Sequence, residues 1–184
     1  MLILIDQDGV LADFERGFHT AWQAIGPRHG HPPLPLEERR SFHVRDDYPP
    51  HLEEAVVSVY TAPGFYRALP PVPGAVEAMA ELLDLGHDVR ICTSPLNQYR
   101  YCVPEKYEWV EAHLGPAFVQ RMVVTKDKTL VVGDVLVDDK PDVTGACQPA
   151  WRHVLYDQPY NRHRPGARIT WADWRAVLLA AGPR

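Results

Sequence analysis

The beginning of the chain constrains its fold most strongly. A short apolar run, residues 2–5, ends in Asp6 and Asp8, and Gly9 follows directly. A continuous apolar run of this length predicts a strand buried on both faces, as in the middle of a parallel sheet. Ligands of open α/β sheets bind just beyond the carboxyl ends of the strands, where these carboxylates lie. Because two neighbouring carboxylates repel each other unless a cation or a proton separates them, a divalent metal site is the simplest explanation.

An ordinary acidic turn and a calcium loop are the alternatives at this point. A calcium loop needs further acidic ligands at fixed offsets, and residues 10–12 do not supply them. Gly9 would in addition let the backbone approach a ligand closely. We therefore favour the metal site.

The bulk composition excludes several classes of function. The 184 residues carry a net charge of −5, which provides no basic field for a nucleic-acid polymer. No apolar stretch approaches the roughly 18 residues of a membrane span. The odd number of cysteines, three, without metal-ligand spacing and without a signal peptide, leads us to expect a reducing, cytoplasmic location. The sequence leaves the oligomeric state open, with a homodimer as one option.

Strand-like and helix-like segments alternate along most of the chain, which predicts a mainly parallel α/β sheet flanked by helices. Residues 14–73 differ, because they are helical, proline-punctuated and rich in aromatic residues. We interpret them as an insertion after the first strand that sits over the site, with residues 1–13 and 74–184 forming the main domain. Helices are predicted at 14–25, 51–61, 75–85, 104–113, 142–147 and 171–181, and strands at 2–5, 88–92, 122–124, 135–137 and 154–156.

Polar clusters follow three of the predicted strands. They are the pairs Asp6 and Asp8, Thr93 and Ser94, and Asp138 and Asp139. Since parallel strands end at one edge of a sheet, the three clusters are expected to converge. Carboxylates from two strands are suited to Mg²⁺, and a hydroxyl with a free backbone N–H is suited to phosphate oxygens. A lysine would complete a phosphate clamp, and the candidates are Lys126, Lys128 and Lys140.

Each cluster also has an ordinary explanation when taken alone. Thr93 and Ser94 precede a proline and are typical of a turn. Asp138 and Asp139 precede Lys140 and a proline and are compatible with a solvated turn. Lys128 alone is typical of a surface lysine. The functional interpretation depends on the three clusters occurring together.

With these motifs, the chain resembles the haloacid dehalogenase-like (HAD) phosphohydrolases. Residues 6–10 resemble their D-x-D-G-x motif, Thr93 and Ser94 the second motif, Lys128 the third, and residues 133–139 the fourth. A closer resemblance is to the 5′(3′)-deoxyribonucleotidases, and it covers nearly the whole chain. It rests on residues 6–14, 73–78, 91–95, 101–102, 105–107, 109–111, 127–129, 136–141 and 171–174.

The resemblance implies a role for each site residue. Asp6 would attack phosphorus and form an aspartyl-phosphate, and Asp8 would be the general acid and then the base. Mg²⁺ would be bound by Asp6, the Asp8 backbone carbonyl and one of Asp138 and Asp139, with family likeness favouring Asp139. Phosphate would be held by Thr93, the Ser94 backbone and Lys128.

The resemblance also implies that the insertion is a small helical cap, over a catalytic core of residues 1–13 and 74–184, and that this cap selects the leaving group and lines a nucleoside pocket. Its residues would be Phe14, Phe42, His43, Val44 and Tyr60, with core packing of the cap as the alternative for each. The chain departs from the family pattern here, because His43 and Tyr60 stand where tryptophans are expected, and Lys126 replaces an arginine. Base and sugar preference are therefore open.

The sequence thus predicts a Mg²⁺-dependent hydrolase of (deoxy)ribonucleoside monophosphates. One alternative is a HAD phosphatase for another small phosphate ester. Another is a catalytically silent metal- or nucleotide-binding protein. The preferred base, deoxy against ribo sugar, and 5′ against 3′ phosphate are not determined.

Overall fold

A computed structural model describes residues 1–179 of the chain. Its centre is a six-stranded sheet in which every pair of neighbouring strands is parallel, with the order β3-β2-β1-β4-β5-β6. The strands are β1 (Leu2–Ile5), β2 (Asp88–Thr93), β3 (Met122–Val124), β4 (Val135–Asp138), β5 (Arg152–Tyr156) and β6 (Arg168–Ile169). This confirms the predicted fold class.

Helices cover the sheet and form the insert. They are α1 (Phe14–Ile25), α2 (Glu53–Thr61), α3 (Ala75–Asp84), α4 (Tyr99–Leu114), α5 (Pro116–Val119) and α6 (Trp174–Leu178). Short 3₁₀ turns lie at Gly26–His29, Leu36–Glu38, Val44–Asp47, Pro50–Leu52, Lys128–Leu130 and Pro159–Asn161. Within residues 1–179, no helix is long and apolar enough to cross a membrane.

Strand β1 lies in the middle of the sheet because its side chains are apolar on both faces. Ile3 and Ile5 pack into the larger core, and Leu4 packs on the opposite face against Cys92 and Leu136. In register, Ile5 is paired with a residue of β2 on one side and of β4 on the other. The ends of β1, β2 and β4 therefore meet at one edge, as the sequence predicts.

The helical insert after β1 has a core of its own. Phe18 and Trp22 of α1 pack against Val56 and Val59 of α2, together with residues of the 3₁₀ turns. The chain enters and leaves this insert on paired backbones, because Asp13 N–H donates to the Pro70 carbonyl at 2.8 Å and Val72 N–H to Leu11 at 2.8 Å. The segments that enter and leave the insert therefore pair with each other directly beside the end of β1.

Some element predictions were wrong. Helix α4 begins at Tyr99 rather than at Pro104, because the buried face that includes Cys102 extends before the proline. Residues 142–147 are not helical; the Asp127 carboxylate accepts the N–H of Ala146 at 2.7 Å in place of a helical carbonyl. Strand β6 was missed because two residues carry no periodic signal.

The closing helix was also predicted too long. It starts at Trp174, since the Asp173 carboxylate binds the Thr170 N–H at 2.6 Å and forms a turn before it. The predicted end of this helix, residues 180–181, lies outside the described residues.

Candidate active site

Three carboxylates cluster where β1 and β4 end. One oxygen from each of Asp6, Asp138 and Asp139 lies within 4.8 Å of the others. Their residues are only 8%, 1% and 4% exposed. Three buried carboxylates at this separation repel one another strongly unless positive charge lies among them.

The turn after β1 is built to bring Asp6 and the following backbone against this cluster. Gln7 N–H donates to Asp6 Oδ1 at 2.8 Å, and the Gln7 carbonyl accepts the N–H groups of Leu11 and Ala12 at 2.8 Å each. Gly9 has a φ of 74°, and a Cβ there would overlap Oδ2 of Asp139. Glycine is thus required both by the backbone conformation and by the close approach of Asp139.

Lys128 supplies positive charge to two of the carboxylates. Its Nζ lies 2.8 Å from Asp6 Oδ1 and 2.6 Å from Asp138 Oδ2. The other oxygen of Asp138 accepts the N–H of Lys140 at 2.8 Å. Both oxygens of Asp138 are therefore already bonded within the protein.

Asp139 is held differently. Its Oδ2 accepts a hydrogen bond from the Tyr160 hydroxyl, and its backbone carbonyl accepts one from Asn161 Nδ2 at 2.8 Å. Its Oδ1 is buried and has no hydrogen-bond partner among the described residues. A buried carboxylate oxygen without a partner is costly, so this atom is well placed for an additional ligand.

The protonation equilibria reflect excess negative charge. Burial raises the pKa of Asp6 to about 6 even though Lys128 opposes the shift. Burial, and then the Asp138 and Asp6 charges, raise the pKa of Asp139 well above its usual range. Burial alone would lower the pKa of Lys128, but the Asp138 and Asp6 carboxylates raise it, so the lysine is charged. One lysine does not balance three carboxylates, and a hard divalent cation fits these oxygen donors.

A second lysine joins the site from helix α4. Lys106 is fully buried, and its Nζ lies 2.5 Å from Asp8 Oδ2 and 2.8 Å from Thr93 Oγ1. Gln7 Nε2 donates to the Lys106 carbonyl at 3.1 Å, which ties the helix to the turn after β1. Lys106 thus joins the ends of β1 and β2.

The sequence interpretation did not include Lys106 among the site residues. A signal was present, since Lys106 shares the buried face of α4 with Cys102, Trp109 and Val110. That face also carries the buried Glu105, and a buried lysine requires an anionic partner, but the residues around Lys106 do not specify Asp8 as that partner.

The other predicted phosphate-binding groups lie at the same edge. Thr93 is buried, and Ser94 is exposed in the loop that follows. Of the other two candidate lysines, Lys126 donates to the Pro95 carbonyl at 2.5 Å and to Asn97 at 2.9 Å. Lys140 stands 5.8 Å from the ring centre of Phe42. Lys128 is therefore the one of the three whose ammonium group contacts the acidic cluster; Lys140 contacts it only through its backbone N–H.

The predicted nucleoside-binding residues fall into three groups. Phe14 lies 6.0 Å from the ring of Tyr60, on the side of α1 and α2. Phe42 and His43 lie together, with ring centres 5.0 Å apart, on the side of Tyr160. Val44 is only 3% exposed and packs into the core of the insert, so its side chain takes the packing role that the sequence left as the alternative.

Known proteins resemble this chain over almost its full length. A family model described as "5' nucleotidase, deoxy (Pyrimidine), cytosolic type C protein" matches residues 1–182. A Bordetella pertussis protein with a provisional 5'(3')-deoxyribonucleotidase assignment is 59% identical, over 97% of this chain and 95% of its own. The cytosolic-type 5'(3')-deoxyribonucleotidase of Homo sapiens is 48% identical, over 96% of this chain and 92% of its own.

Solved structures share the fold at low sequence identity. A HAD family hydrolase from Deinococcus radiodurans R1, with bound phosphate and sodium, superposes with a TM-score of 0.64 at 16% identity. The match covers 97% of this chain and 95% of that one. The motifs at the ends of β1, β2 and β4 and the family match over residues 1–182 agree: the chain has a HAD-like fold and belongs to the 5′(3′)-deoxyribonucleotidase family.

Proposed function

We propose that this protein is a Mg²⁺-dependent nucleotidase that hydrolyses the phosphate of (deoxy)ribonucleoside monophosphates through an aspartyl-phosphate. The observation that carries the proposal is the convergence of Asp6, Asp8, Thr93 and Lys128 at one edge of the sheet. Phosphoryl transfer depends mainly on alignment and charge neutralisation, which this arrangement provides. The relatives named as 5'(3')-deoxyribonucleotidases support the substrate class.

Asp6 is the nucleophile in this mechanism. Its Oδ1 is held by the Gln7 N–H and by Lys128, which leaves Oδ2 to attack phosphorus. Lys128 keeps the carboxylate oriented and offsets negative charge as the phosphate arrives. Attack forms the Asp6–phosphorus bond and breaks the bond between phosphorus and the nucleoside oxygen.

Asp6, the Asp8 backbone carbonyl and Asp139 would hold the magnesium ion. When bound, the ion supplies positive charge for the phosphate oxygens. The Asp139 Oδ1 atom supports its assignment as the direct ligand, since both oxygens of Asp138 are already bonded to Lys128 and Lys140. Asp138 then orients Lys128.

Asp8 transfers the proton. In the first step it gives a proton to the departing nucleoside oxygen, and in the second it takes one from the water that hydrolyses the phosphoaspartate. Its side chain is 26% exposed, so it can reach a substrate. Lys106 holds Asp8 and Thr93 together, and Thr93, the Ser94 backbone and Lys128 would bind the phosphate oxygens.

Residues 14–73 act as the cap that selects the leaving group, over a catalytic core of residues 1–13 and 74–184. The aromatic faces of Phe14, Phe42 and Tyr60, with His43, suit stacking against a base. This composition favours a nucleoside over other small phosphate esters.

Phosphate release from purified protein tests the proposal. A panel of deoxyribonucleotides, ribonucleotides and sugar phosphates is assayed with Mg²⁺ and with EDTA. We expect release from nucleoside monophosphates that requires the metal and is abolished in Asp6→Asn. Equal turnover of all esters would favour a general HAD phosphatase, and metal binding without turnover would favour a silent binding protein.

A further inference from the structure

Tyr160 occupies a central place that the proposed catalytic steps do not use. Its hydroxyl donates to Asp139 Oδ2, and its side chain is 2% exposed. The hydroxyl also approaches the turn after β1, since a Cβ on Gly9 would lie 3.3 Å from it. With Oδ2 bonded to Tyr160, the carboxylate of Asp139 is fixed with Oδ1 as its remaining oxygen.

The 3₁₀ turn that carries Tyr160 is anchored to the same two segments. Gln158 Nε2 donates to the Gly9 carbonyl at 2.7 Å. Asn161 Nδ2 donates to the carbonyls of Asp139 and Tyr156, each at 2.8 Å. Both the backbone and the carboxylate of Asp139 are thus set by one short turn.

The ring of Tyr160 is contacted from the other side by the helical insert. The Arg39 guanidinium lies 5.4 Å from its ring centre, and Phe42 meets it edge-on with centres 6.0 Å apart. Arg39 is itself fixed, because its Nε donates to Asp47 at 2.6 Å and its other nitrogens bind Glu15 and the Ser41 carbonyl. The insert therefore packs a fixed cation, Arg39, and an aromatic ring, Phe42, against the ring of Tyr160.

We propose that Tyr160 is a positioning residue that orients Asp139 for the divalent cation, and that the helical insert acts on the metal site through it. This inference rests on the proposed function, because it assumes a metal bound by Asp139. Groups that orient a metal ligand typically change metal affinity by about 10–100-fold when removed. Phe42, which is proposed to bind the nucleoside, also contacts Tyr160, which holds the metal ligand Asp139.

The test measures Mg²⁺ and Mn²⁺ affinity by calorimetry, without nucleotide, in wild type, Tyr160→Phe and Tyr48→Phe. Tyr160→Phe keeps the ring and its contacts but removes the hydroxyl. Tyr48→Phe is the matched control, because Tyr48 is a buried tyrosine whose hydroxyl bonds to the Leu34 N–H, outside the acidic cluster. We expect metal affinity to be about tenfold weaker in Tyr160→Phe and unchanged in Tyr48→Phe. Melting temperatures of the two variants in EDTA should be similar, so that the difference in affinity does not arise from a difference in stability.

Phe42→Leu is a second variant, which keeps the Tyr160 hydroxyl but removes the edge-on aromatic contact with the Tyr160 ring. It is expected to weaken metal affinity severalfold. Wild-type affinity in Tyr160→Phe overturns the proposal, and if that variant does not fold, wild-type affinity in Phe42→Leu overturns it instead. Absence of metal binding in the wild-type protein would refute the proposed metal-dependent function itself.

Discussion

Replacement of Asp6 by asparagine is expected to abolish turnover and yet stabilise the metal-free protein. Burial raises the pKa of Asp6 from 3.8 to about 6. A carboxyl whose pKa is raised by folding contributes stability that is complete below pH 3.8 and is lost as the pH rises through about 6. Asparagine cannot ionise, so it retains this contribution at neutral pH.

The magnitude follows from the shift. The difference between a pKa of 3.8 and one of about 6 corresponds to about 3 kcal/mol of unfolding free energy above pH 6, at about 1.36 kcal/mol per unit. For a chain of this size, 1 kcal/mol corresponds to roughly 2–4 °C, so the melting temperature should rise by about 6–12 °C. The gain should shrink between pH 6 and pH 4, as Asp6 of the wild-type protein becomes neutral.

Thermal unfolding in EDTA, followed by circular dichroism across this pH range, measures the effect. Asp46→Asn is the control, because Asp46 is half exposed and its pair with Arg45 is a surface contact. A variant less stable than wild type at neutral pH, or a gain that does not depend on pH, would refute the electrostatic reasoning.

Three further predictions concern the same site. Lys106→Met should lower kcat/KM by at least about 100-fold in a folded protein, since it removes the cation shared by Asp8 and Thr93. The control is Arg67→Met, which breaks an exposed ion pair to the same helix. Equal activity of the two variants would contradict a role for Lys106 in the active site. Metal affinity measured with Mn²⁺ should fall by at least about tenfold per pH unit below pH 6, because the ion must displace the Asp6 proton and a proton on Asp139, whose pKa is also raised. A flat profile would count against this. Gly30→Ala should cost about 1–2 kcal/mol in unfolding free energy because its φ is positive, and Gly9→Ala should cost more, because its φ is also positive and its Cβ would overlap Asp139. Only Gly9→Ala should also lose metal affinity, since its Cβ would displace Asp139, whereas nothing lies near a Cβ at Gly30.

Features encoded by short stretches of sequence were predictable. The apolar run of β1 is buried on both faces, so its position in the middle of a parallel sheet follows from its composition. Once the strands are parallel, the polar groups after β1, β2 and β4 must share an edge. The proximity of Asp6, Lys128 and Asp138 is a consequence of this topology.

Features that depend on tertiary packing were not predictable. Lys106 reaches Asp8 only because the tertiary fold brings α4 beside the turn after β1, and nothing near Lys106 in the sequence specifies that position. Asp138 and Asp139 have different hydrogen-bond partners, because Asp138 accepts from Lys128 and Asp139 accepts from Tyr160, and these contacts depend on the tertiary fold. Residues 142–147 were predicted helical from local pattern, but the Asp127 carboxylate binds their backbone instead.

In the proposed mechanism Asp6 attacks phosphorus and carries the phosphoryl group. Rapid acid quench during turnover of a deoxyribonucleoside monophosphate with Mg²⁺, followed by peptide mass spectrometry, tests it most directly. We predict the added mass of one phosphoryl group on the amino-terminal peptide, located at Asp6 and absent from Asp6→Asn. Turnover by Asp6→Asn at the wild-type rate, or a phosphoryl group located on another residue, would contradict the account.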